Sequence, residues 1–390
     1  MIPAIGGNAQ IGLKGLRQLR GGHPWVYRSD LTRAPACPAG LVYVQGPDGA
    51  RLGCALYSPA SQISLRMLTT GDEAVTEALL GQRLEAARAR RRRLMPNAEA
   101  WRWVHGEADF LPGIFIDCYA DCLVLQTTCG GADALLPVLQ ALLLQLAAPR
   151  ALVLRNEGAM RAREGLPRRS AVLHGTAPVK VNYREGAITY GLDLLHDHKT
   201  GSFLDQALNH QRAAAYAQGD ALDAFCYHGG FALQLASGCS SVLGLDSARP
   251  AVARAIANAV AAGLSHVRFE VADVLARLPQ LVEAGAQFDT IVLDPPAFAS
   301  TAGTLPAALR AYREINRRAM QLLRPHGILI SCSCSGRVGE DAFDAALAAA
   351  GRVAGRRLHQ IESWPAAPDH PALLGVPETR YLKARVLMVL

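Results

Sequence analysis

Two short segments in the C-terminal half of the chain carry residue types suited to chemistry on a nitrogenous base. The first, Asp294-Pro-Pro, follows the apolar run 288–293. Its two prolines hold an extended turn and lack N–H donors, so backbone carbonyls remain available to a base beside Asp294. The second segment, 331–336, follows the next apolar run and contains Cys332 and Cys334. A thiol at this edge can attack a substrate that is held at the Asp-Pro-Pro turn.

Three acidic residues, Asp223, Asp246 and Asp273, stand at the ends of three successive predicted strands. Ligands of parallel sheets bind beyond the carboxyl ends of the strands. There, Asp246 can accept from both hydroxyls of a ribose, and Asp273 can accept from an adenine amino group. Each acid alone is more typical of a helix cap, whereas three in step favour a ligand site.

The loop after the first of these strands contains Gly229 and Gly230, which allow the backbone to turn tightly beneath a ligand. Its spacing is not Gly-x-Gly-x-x-Gly, and Asp223 lies where the pyrophosphate of a dinucleotide would lie. An acid there suits the cationic amino-acid end of S-adenosylmethionine, which is therefore the predicted cofactor. The candidate cofactor-binding residues of this loop are Asp223, Phe225, Gly229, Gly230 and Phe231.

The elements that position these residues alternate regularly after residue 220. Strands alternating with helices at this spacing predict a parallel, doubly wound α/β sheet. The predicted strands are 221–224, 241–245, 267–271, 290–293 and 328–331, and the predicted helices are 230–237, 249–262, 274–283 and 305–323.

The first 190 residues have a different pattern. Short strands at 41–45, 51–57 and 63–68, separated by Gly and Pro turns, predict a small β-barrel module. A helix at 73–95 precedes a predicted α+β unit, with strands 113–117, 122–127, 151–155, 179–183 and 187–192 and a helix at 132–147. The chain is therefore divided into predicted domains 1–72, 73–190 and 191–390.

Charge and hydropathy limit the partners of this chain. Its 390 residues include 40 Lys plus Arg and 33 Asp plus Glu, for a net charge of +7. Five arginines fall between Arg88 and Arg93, as a phosphate-binding helix would require, although a solvated helix face explains this run equally well. The most apolar run, 134–148, is too short to span a bilayer and predicts a core helix. With no signal-peptide pattern, the prediction is a cytoplasmic protein without a membrane partner.

Cysteine usage argues against two further classes. The chain has nine cysteines, an odd count without any Cys-x-x-Cys pair. This pattern is unlike a secreted disulfide scaffold, and Cys118, Cys122 and Cys129 lack the paired spacing of a zinc site. We therefore expect these three residues to be buried thiols and expect no bound metal.

Motifs along nearly the whole chain resemble those of the RlmI-type 23S rRNA cytosine-5 methyltransferases. The motifs that carry this resemblance are His23-Pro-Trp25, Ser58-Pro-Ala-Ser-Gln62, Leu111-Pro-Gly113, His198-Lys-Thr-Gly-Ser-Phe-Leu-Asp-Gln206, Asp294-Pro-Pro-Ala-Phe298, Ser333-Cys-Ser-Gly336 and Asp369-His-Pro371. The resemblance implies a class I methyltransferase domain with a doubly wound α/β sheet, preceded by a PUA-like RNA-binding β-barrel and a small α+β central domain.

The resemblance also implies the roles of several residues. Cys334, the second residue of Ser-Cys-Ser-Gly, would add as a thiolate to carbon 6 of a cytosine. Asp294 would hydrogen-bond the ring nitrogen and amino group, and Lys199 and Phe203 would cover S-adenosylmethionine. The partner would be RNA, most specifically 23S rRNA, and a homodimer is left open.

Departures from the family pattern keep other functions under consideration. Ala207 stands where the family usually has an arginine, and His228 replaces a smaller residue. One alternative is methyl transfer to an exocyclic amine, for which the Asp-Pro-Pro turn suffices without a thiol. The other is a non-catalytic RNA-binding protein that keeps the fold, an alternative disfavoured by the complete set of cofactor-site acids. Cys334 discriminates between the first alternative and cytosine-5 chemistry.

Overall fold

A computed structural model describes residues 1–197, 200–299 and 302–390 of the chain. The chain divides into two units that interleave in sequence. The first consists of Met1–Val181, Asp193–Gly201 and Pro368–Thr379, and the second of Asn182–Leu192, Ser202–Ala367 and Arg380–Leu390.

The N-terminal part of the first unit is a six-stranded sheet. Its strands are β1 (Ile5–Ile11), β2 (Trp25–Tyr27), β3 (Leu31–Arg33), β4 (Gly40–Gln45), β5 (Arg51–Tyr57) and β6 (Ile63–Met67), with helix α1 (Leu13–Arg20) after β1. They lie in the order β2-β6-β5-β4-β1-β3, and β1 pairs with β4 in parallel. The strands predicted near 41–68 are confirmed. The sequence pattern does not predict the first three strands, because β2 and β3 have three residues each and β1 mixes glycines with polar residues.

The rest of the first unit is built on a five-stranded sheet with the order β11-β10-β9-β8-β7. Its strands are β7 (Ala100–His105), β8 (Ile114–Tyr119), β9 (Cys122–Thr127), β10 (Ala151–Asn156) and β11 (Arg169–His174). Its helices are α2 (Glu77–Leu94), α3 (Gly130–Asp133), α4 (Leu136–Ala147) and α5 (Ala159–Arg163). Helix α4 buries Val138, Leu139 and Leu143, so the apolar run is a core helix as predicted. Cys118, Cys122 and Cys129 are buried, also as predicted.

Helix α2 begins four residues later than predicted. Thr76 is its N-cap, and the Thr76 side chain accepts a hydrogen bond from the Leu79 N–H at 3.0 Å. A Thr at this position satisfies one of the first-turn donors and ends the preceding extended segment. The N-cap residue Thr76 therefore sets the start of α2. The predicted start is earlier because that prediction used only the spacing of Ala and Leu residues.

The arginine segment of α2, residues 88–93, is neither a continuous phosphate-binding surface nor a uniformly solvated face. Arg91 is 1% exposed, and both of its terminal nitrogens lie 2.6 Å from the carboxylate of Asp109. Arg90 also contacts Asp109, and Arg88 donates to the Leu146 carbonyl at 2.8 Å. The burial of Arg91 excludes this residue from both predicted surfaces, whereas Arg88 and Arg90 are partly exposed and already have partners inside this unit.

The second unit contains the predicted doubly wound sheet. A hairpin of β12 (Lys180–Glu185) and β13 (Ile188–Asp193) lies at its start, where the two units meet in sequence. The strands of the large sheet are β14 (Asp220–Ala224), β15 (Ser241–Asp246), β16 (Val267–Val271), β17 (Phe288–Leu293), β18 (Leu323–Ser333), β19 (Leu358–Pro365) and β20 (Lys383–Val389). Its helices are α6 (Ala207–Ala213), α7 (Gly230–Leu235), α8 (Arg249–Ala261), α9 (Val274–Glu283), α10 (Leu305–Leu322) and α11 (Glu340–Ala354).

The order of this sheet is β16-β15-β14-β17-β18-β20-β19. The first five strands are parallel, and β20 runs antiparallel to both β18 and β19. The chain winds outward from β14 in one direction and then in the other, so a crevice opens at the carboxyl end of β14. All five predicted strands and four predicted helices of this region are confirmed, while the C-terminal α11, β19 and β20 lie beyond the predicted pattern. None of the helices in the described ranges is long and apolar enough to cross a membrane.

Candidate active site

Asp223, near the end of β14, is fully buried with an incomplete set of partners. Its Oδ2 accepts a hydrogen bond from the Ala232 N–H at 2.8 Å, whereas its Oδ1 has no hydrogen-bond partner among the described residues. Desolvation raises the pKa of this carboxyl to about 7, and the neighbouring Asp294 and Asp246 act in the same direction. A buried carboxyl oxygen to which none of the described residues donates is a candidate contact for a ligand, and a cation suits an ionised carboxylate.

The loop that follows β14 has a strained backbone. Phe225 and Tyr227 have φ values of 72° and 49°, in the left-handed region that costs a non-glycine residue about 1–3 kcal/mol. Three amides hold this shape: Phe225 and Cys226 donate to the Leu245 carbonyl at 2.8 and 3.0 Å, and Tyr227 donates to Asp246 at 2.9 Å. Strain that the surroundings maintain in this way is typical of a binding turn.

The two glycines of the loop meet different steric demands. Gly229 has φ = 84° and is the N-cap of α7, so a side chain here would be strained. A Cβ on Gly230 would lie 2.5 Å from the ring of His210, which fills the space above this residue. Phe231 is buried and meets the same ring edge-on, with 4.6 Å between the ring centroids. At Gly229 and Gly230 the loop therefore has room for backbone but not for a side chain.

Asp246 and Asp273 both make backbone hydrogen bonds at the ends of their strands. The two oxygens of Asp246 accept from the Tyr227 and Ala248 amides at 2.9 and 2.8 Å. Asp273 is the exposed N-cap of α9 and accepts from the Leu275 amide at 3.0 Å. Because an ionised carboxylate has about four acceptor sites, both residues keep capacity for ligand donors while serving as turn and cap.

Two further candidates come from the segment between the hairpin and α6. Phe203 is half-buried, and its ring meets Tyr227 of the strained loop at 4.8 Å and 89°. This contact places an aromatic side chain against the glycine-containing loop. Lys199, the other cover residue implied by the resemblance, lies outside the described residues.

A buried Glu–His pair next to this loop escapes prediction from the sequence. His210 Nδ1 lies 2.8 Å from Glu185 Oε1, and both side chains are less than 10% exposed. Burial disfavours the imidazolium, but the Glu185 carboxylate outweighs this effect and raises the pKa of His210. His210 lies in the stretch that begins at Ala207, where the family usually has an arginine. The buried Glu185–His210 pair therefore supports the glycine-containing loop in a chain that lacks this arginine.

At the reacting end, Cys334 lies beside the Asp294-Pro-Pro turn. Cys334 is partly exposed, and its Sγ is 3.7 Å from the carbonyl oxygen of Pro295. Cys332 differs sharply: it is 0% exposed, and burial together with Asp294 raises the pKa of its thiol well above the ordinary range. Of these two thiols, only Cys334 combines access with a position at the proline turn.

A network of hydroxyl groups from Ser333, Ser335 and Tyr312 supports the turn that contains Cys334. Ser333 Oγ donates to the Tyr312 hydroxyl at 2.9 Å, and that hydroxyl lies 3.1 Å from Ser335 Oγ. All three side chains are buried, and burial raises the pKa of Tyr312 to about 12. The residues on both sides of Cys334 are therefore anchored to α10 by neutral hydrogen bonds.

Comparisons with known proteins agree with this architecture. Residues 165–385 match the family described as S-adenosylmethionine-dependent methyltransferase, and residues 11–70 match the PUA-like domain. Ribosomal RNA large subunit methyltransferase I of Shewanella amazonensis is 38% identical over 377 residues, with 94% of this chain and 95% of the relative covered. The protein of the same name from Photobacterium profundum is 37% identical over 383 residues, with the same coverage.

A solved structure extends the agreement to the whole fold. The crystal structure of SMU.776 in complex with SAH has 18% sequence identity and a TM-score of 0.84, and the alignment covers 100% of both chains. At this identity the likeness concerns the fold alone. The family matches and the sequence relatives show that the chain belongs to the ribosomal RNA large subunit methyltransferase I family of S-adenosylmethionine-dependent enzymes, with a PUA-like domain in its N-terminal part.

Proposed function

We propose that this protein transfers a methyl group from S-adenosylmethionine to carbon 5 of a cytosine in 23S ribosomal RNA, with Cys334 as the nucleophile. Methylation of ribosomal RNA follows from the family. The choice of atom rests on one observation above all: Cys334 is the partly exposed thiol of the Ser-Cys-Ser-Gly turn, 3.7 Å from the Pro295 carbonyl.

The residues at the strand ends fit the cofactor of the family. S-adenosylmethionine supplies a methyl group made electrophilic by its sulfonium, together with an ammonium, a ribose and an adenine. The unpartnered Oδ1 of Asp223 suits the ammonium, and Asp246 has acceptor capacity for the ribose hydroxyls. Asp273 would accept from the adenine amino group, and the aromatic rings of Phe203 and Phe225 would flank the site. Gly229, Gly230 and Phe231 would shape its floor.

Cys334 would overcome the weak nucleophilicity of carbon 5. Its thiolate adds to carbon 6 of the cytosine, and the resulting enamine has its electron density at carbon 5. Asp294 would accept a hydrogen bond from the amino group and share a proton with the ring nitrogen, which stabilises charge as the adduct forms. Carbon 5 would then take the methyl group, and loss of the carbon-5 proton to a base, followed by departure of the Cys334 sulfur, would restore the ring.

A covalent trap tests this assignment directly. An RNA with 5-fluorocytosine at the target should form a stable protein–RNA adduct, because fluorine does not leave as a proton does. Cys334→Ser should form no adduct and lose at least about 1,000-fold in kcat, because a hydroxyl ionises far less readily than a thiol. Cys332→Ser is the matched control, a thiol two residues away, and should retain the adduct.

Nucleoside mass spectrometry after incubation with labelled cofactor and RNA identifies the product. Methyl on carbon 5 of cytidine supports the proposal. Methyl on an exocyclic nitrogen, or full activity of Cys334→Ala, would replace it with amine methylation at the Asp294-Pro-Pro turn. No methyl transfer by the unaltered protein to any ribosomal RNA would favour a non-catalytic RNA-binding role.

A further inference from the structure

Lys383, the first residue of β20, is a buried cation with unusual partners. It is 6% exposed, and its Nζ donates to the carbonyl oxygens of Ser335 and Tyr381, both at 3.0 Å. Within the described residues, no carboxylate oxygen forms an ion pair with this ammonium. Since the two carbonyls carry no net charge, they solvate the ammonium without neutralising it.

Arg385, on the same strand and the same face, provides the contrast. It is 3% exposed and pairs with Asp344 at 2.7 Å and with Glu340 at 3.1 Å. Burying a cation is costly unless a counter-charge accompanies it, and Arg385 meets this condition. The same strand thus holds one buried cation that is neutralised and one that is not.

The position of Lys383 connects it to the nucleophile. In the antiparallel register of β18 and β20, Lys383 lies opposite Ser333, the residue before Cys334. Its Nζ reaches the carbonyl of Ser335, the residue after Cys334. Lys383 therefore contacts the turn on both sides of the thiol.

Electrostatics points in the same direction. Burial lowers the pKa of Lys383. The acidic groups nearby raise this pKa again, and Cys334 does so more strongly than Glu340. Coupling between two sites is reciprocal, so an ammonium that is favoured by the thiolate must favour the thiolate in turn.

We propose that Lys383 is a positioning residue for Cys334: its buried ammonium stabilises the thiolate form and holds the Ser333–Gly336 turn in place. This inference rests on the proposed role of Cys334 as nucleophile. Because Cys334 is partly exposed, its proton leaves to water, and no further reactant is needed. Among the described residues, the other charged or titratable groups around this pair are Tyr312, Asp294, Cys332, Glu340 and Arg385.

The test is the pH dependence of thiol alkylation in the full chain. Iodoacetamide modification of Cys334 is followed by peptide mass spectrometry, with Cys37, the other partly exposed thiol, as internal reference. The midpoint for Cys334 should lie below the ordinary thiol pKa of about 8.5, and that for Cys37 should lie higher, because burial raises the pKa of Cys37. Lys383→Met should raise the Cys334 midpoint by about one pH unit, which lowers its alkylation rate at pH 7 about tenfold.

Two further variants separate charge from packing. Lys383→Arg keeps the cation and should keep the low midpoint, whereas Arg385→Met removes the neighbouring buried cation and should leave the Cys334 midpoint nearly unchanged. A Cys334 midpoint in the unaltered protein equal to or above that of Cys37 would overturn the inference, whether or not Lys383→Met folds. The inference would also be overturned if the Cys334 midpoint were the same in Lys383→Met as in the unaltered protein.

Failure of this inference is distinct from failure of the proposed function. If Cys334 forms the fluorocytosine adduct but its alkylation midpoint is the same in Lys383→Met, Cys334 is the nucleophile and Lys383 does not assist it. If Cys334→Ala retains full methyl transfer, the nucleophile assignment falls and the alkylation result no longer bears on the reaction.

Discussion

Ionisable side chains are densely placed in two regions, the arginine segment of α2 and the strand-end turns of the second unit, but their pairing differs. In α2 the buried Arg91 meets both oxygens of Asp109. Near the end of β14, Asp223 is equally buried, and one of its oxygens receives no hydrogen bond from the part of the chain that the structure describes. Buried charge is costly unless it is paired, so complete pairing indicates a structural role and incomplete pairing indicates a place for a ligand.

The largest effect should come from breaking the complete pair. Arg91→Met should lower the free energy of unfolding by about 3–5 kcal/mol, because Asp109 would remain buried without its main counter-charge. Denaturant unfolding of the full chain measures this loss. Arg93→Met is the matched control, an exposed arginine of the same helix, and should change stability by less than about 0.5 kcal/mol. Similar losses in the two variants would refute the structural role assigned to Arg91.

The cofactor site should respond mainly in ligand affinity, and Asp246→Ala also removes the acceptor of the Tyr227 and Ala248 amides. Asp246→Ala removes the acceptor expected for the ribose hydroxyls and should weaken binding of S-adenosylhomocysteine about 100-fold, or about 2.7 kcal/mol. Calorimetry on the full chain measures the dissociation constant. The exposed cap Asp273 should matter less, with a loss of about tenfold in Asp273→Ala. Binding of NAD by the unaltered protein, without any binding of S-adenosylhomocysteine, would contradict the site assignment and indicate a dinucleotide site.

The comparison also separates what the sequence predicts from what it does not. The positions of Asp223, Asp246 and Asp273 at one edge of the sheet are predictable from the sequence, because each stands at or just beyond the end of its own strand. The positions of Cys334 and Asp294 are predictable in the same way, while the roles of these residues stay predictions. These predictions depend only on local order along the chain and on the rules of parallel sheets.

Contacts between distant residues leave no such pattern. His210 and Glu185 are 25 residues apart, Lys383 and Ser335 are 48 apart, and Arg91 meets Asp109 over 18 residues. No periodicity links these partners, so helical spacing made Arg91 resemble its exposed neighbours. The division into domains at 72/73 and 190/191 stays a prediction for a related reason, since it rests on shifts in pattern rather than on contacts.

The incomplete pairing of Asp223 should make cofactor binding depend on pH. The pKa of this carboxyl is raised to about 7, so it is protonated below that pH and loses its attraction for an ammonium. Between pH 7 and pH 6 the affinity for S-adenosylhomocysteine should fall several-fold, approaching tenfold per unit further down. Asp223→Asn should bind more weakly at pH 8 and show a flat profile over this range.

His210 offers a competing source of the same pH dependence. Its pKa is also raised, and its imidazolium would repel the ammonium at low pH. If Asp223→Asn keeps the full pH dependence of the unaltered protein, His210 and not Asp223 controls it. Both raised pKa values make the protein less stable as pH rises, but over different ranges of pH. The raised pKa of Asp223 costs stability as pH rises from about 4 to 7, whereas His210 contributes stability that is complete below pH 6.5 and lost above its raised pKa.

The smallest effect concerns RNA binding by the exposed part of the arginine segment. Of the five arginines, Arg92 and Arg93 are the exposed ones, and the Arg92 guanidinium lies over the Trp101 ring at 4.9 Å. If both contact phosphates, the Arg92→Ala/Arg93→Ala double variant should flatten the slope of log affinity against log salt by roughly 0.7–0.9 per lost contact. Filter binding of a ribosomal RNA fragment over a salt series measures this slope. Arg317→Ala, which removes an arginine paired with Glu314, is the control and should leave the slope unchanged. An unchanged slope in the double variant would mean that the whole segment serves the fold, with paired arginines inside and solvated ones outside, and RNA contacts would then have to come from other cations of the chain.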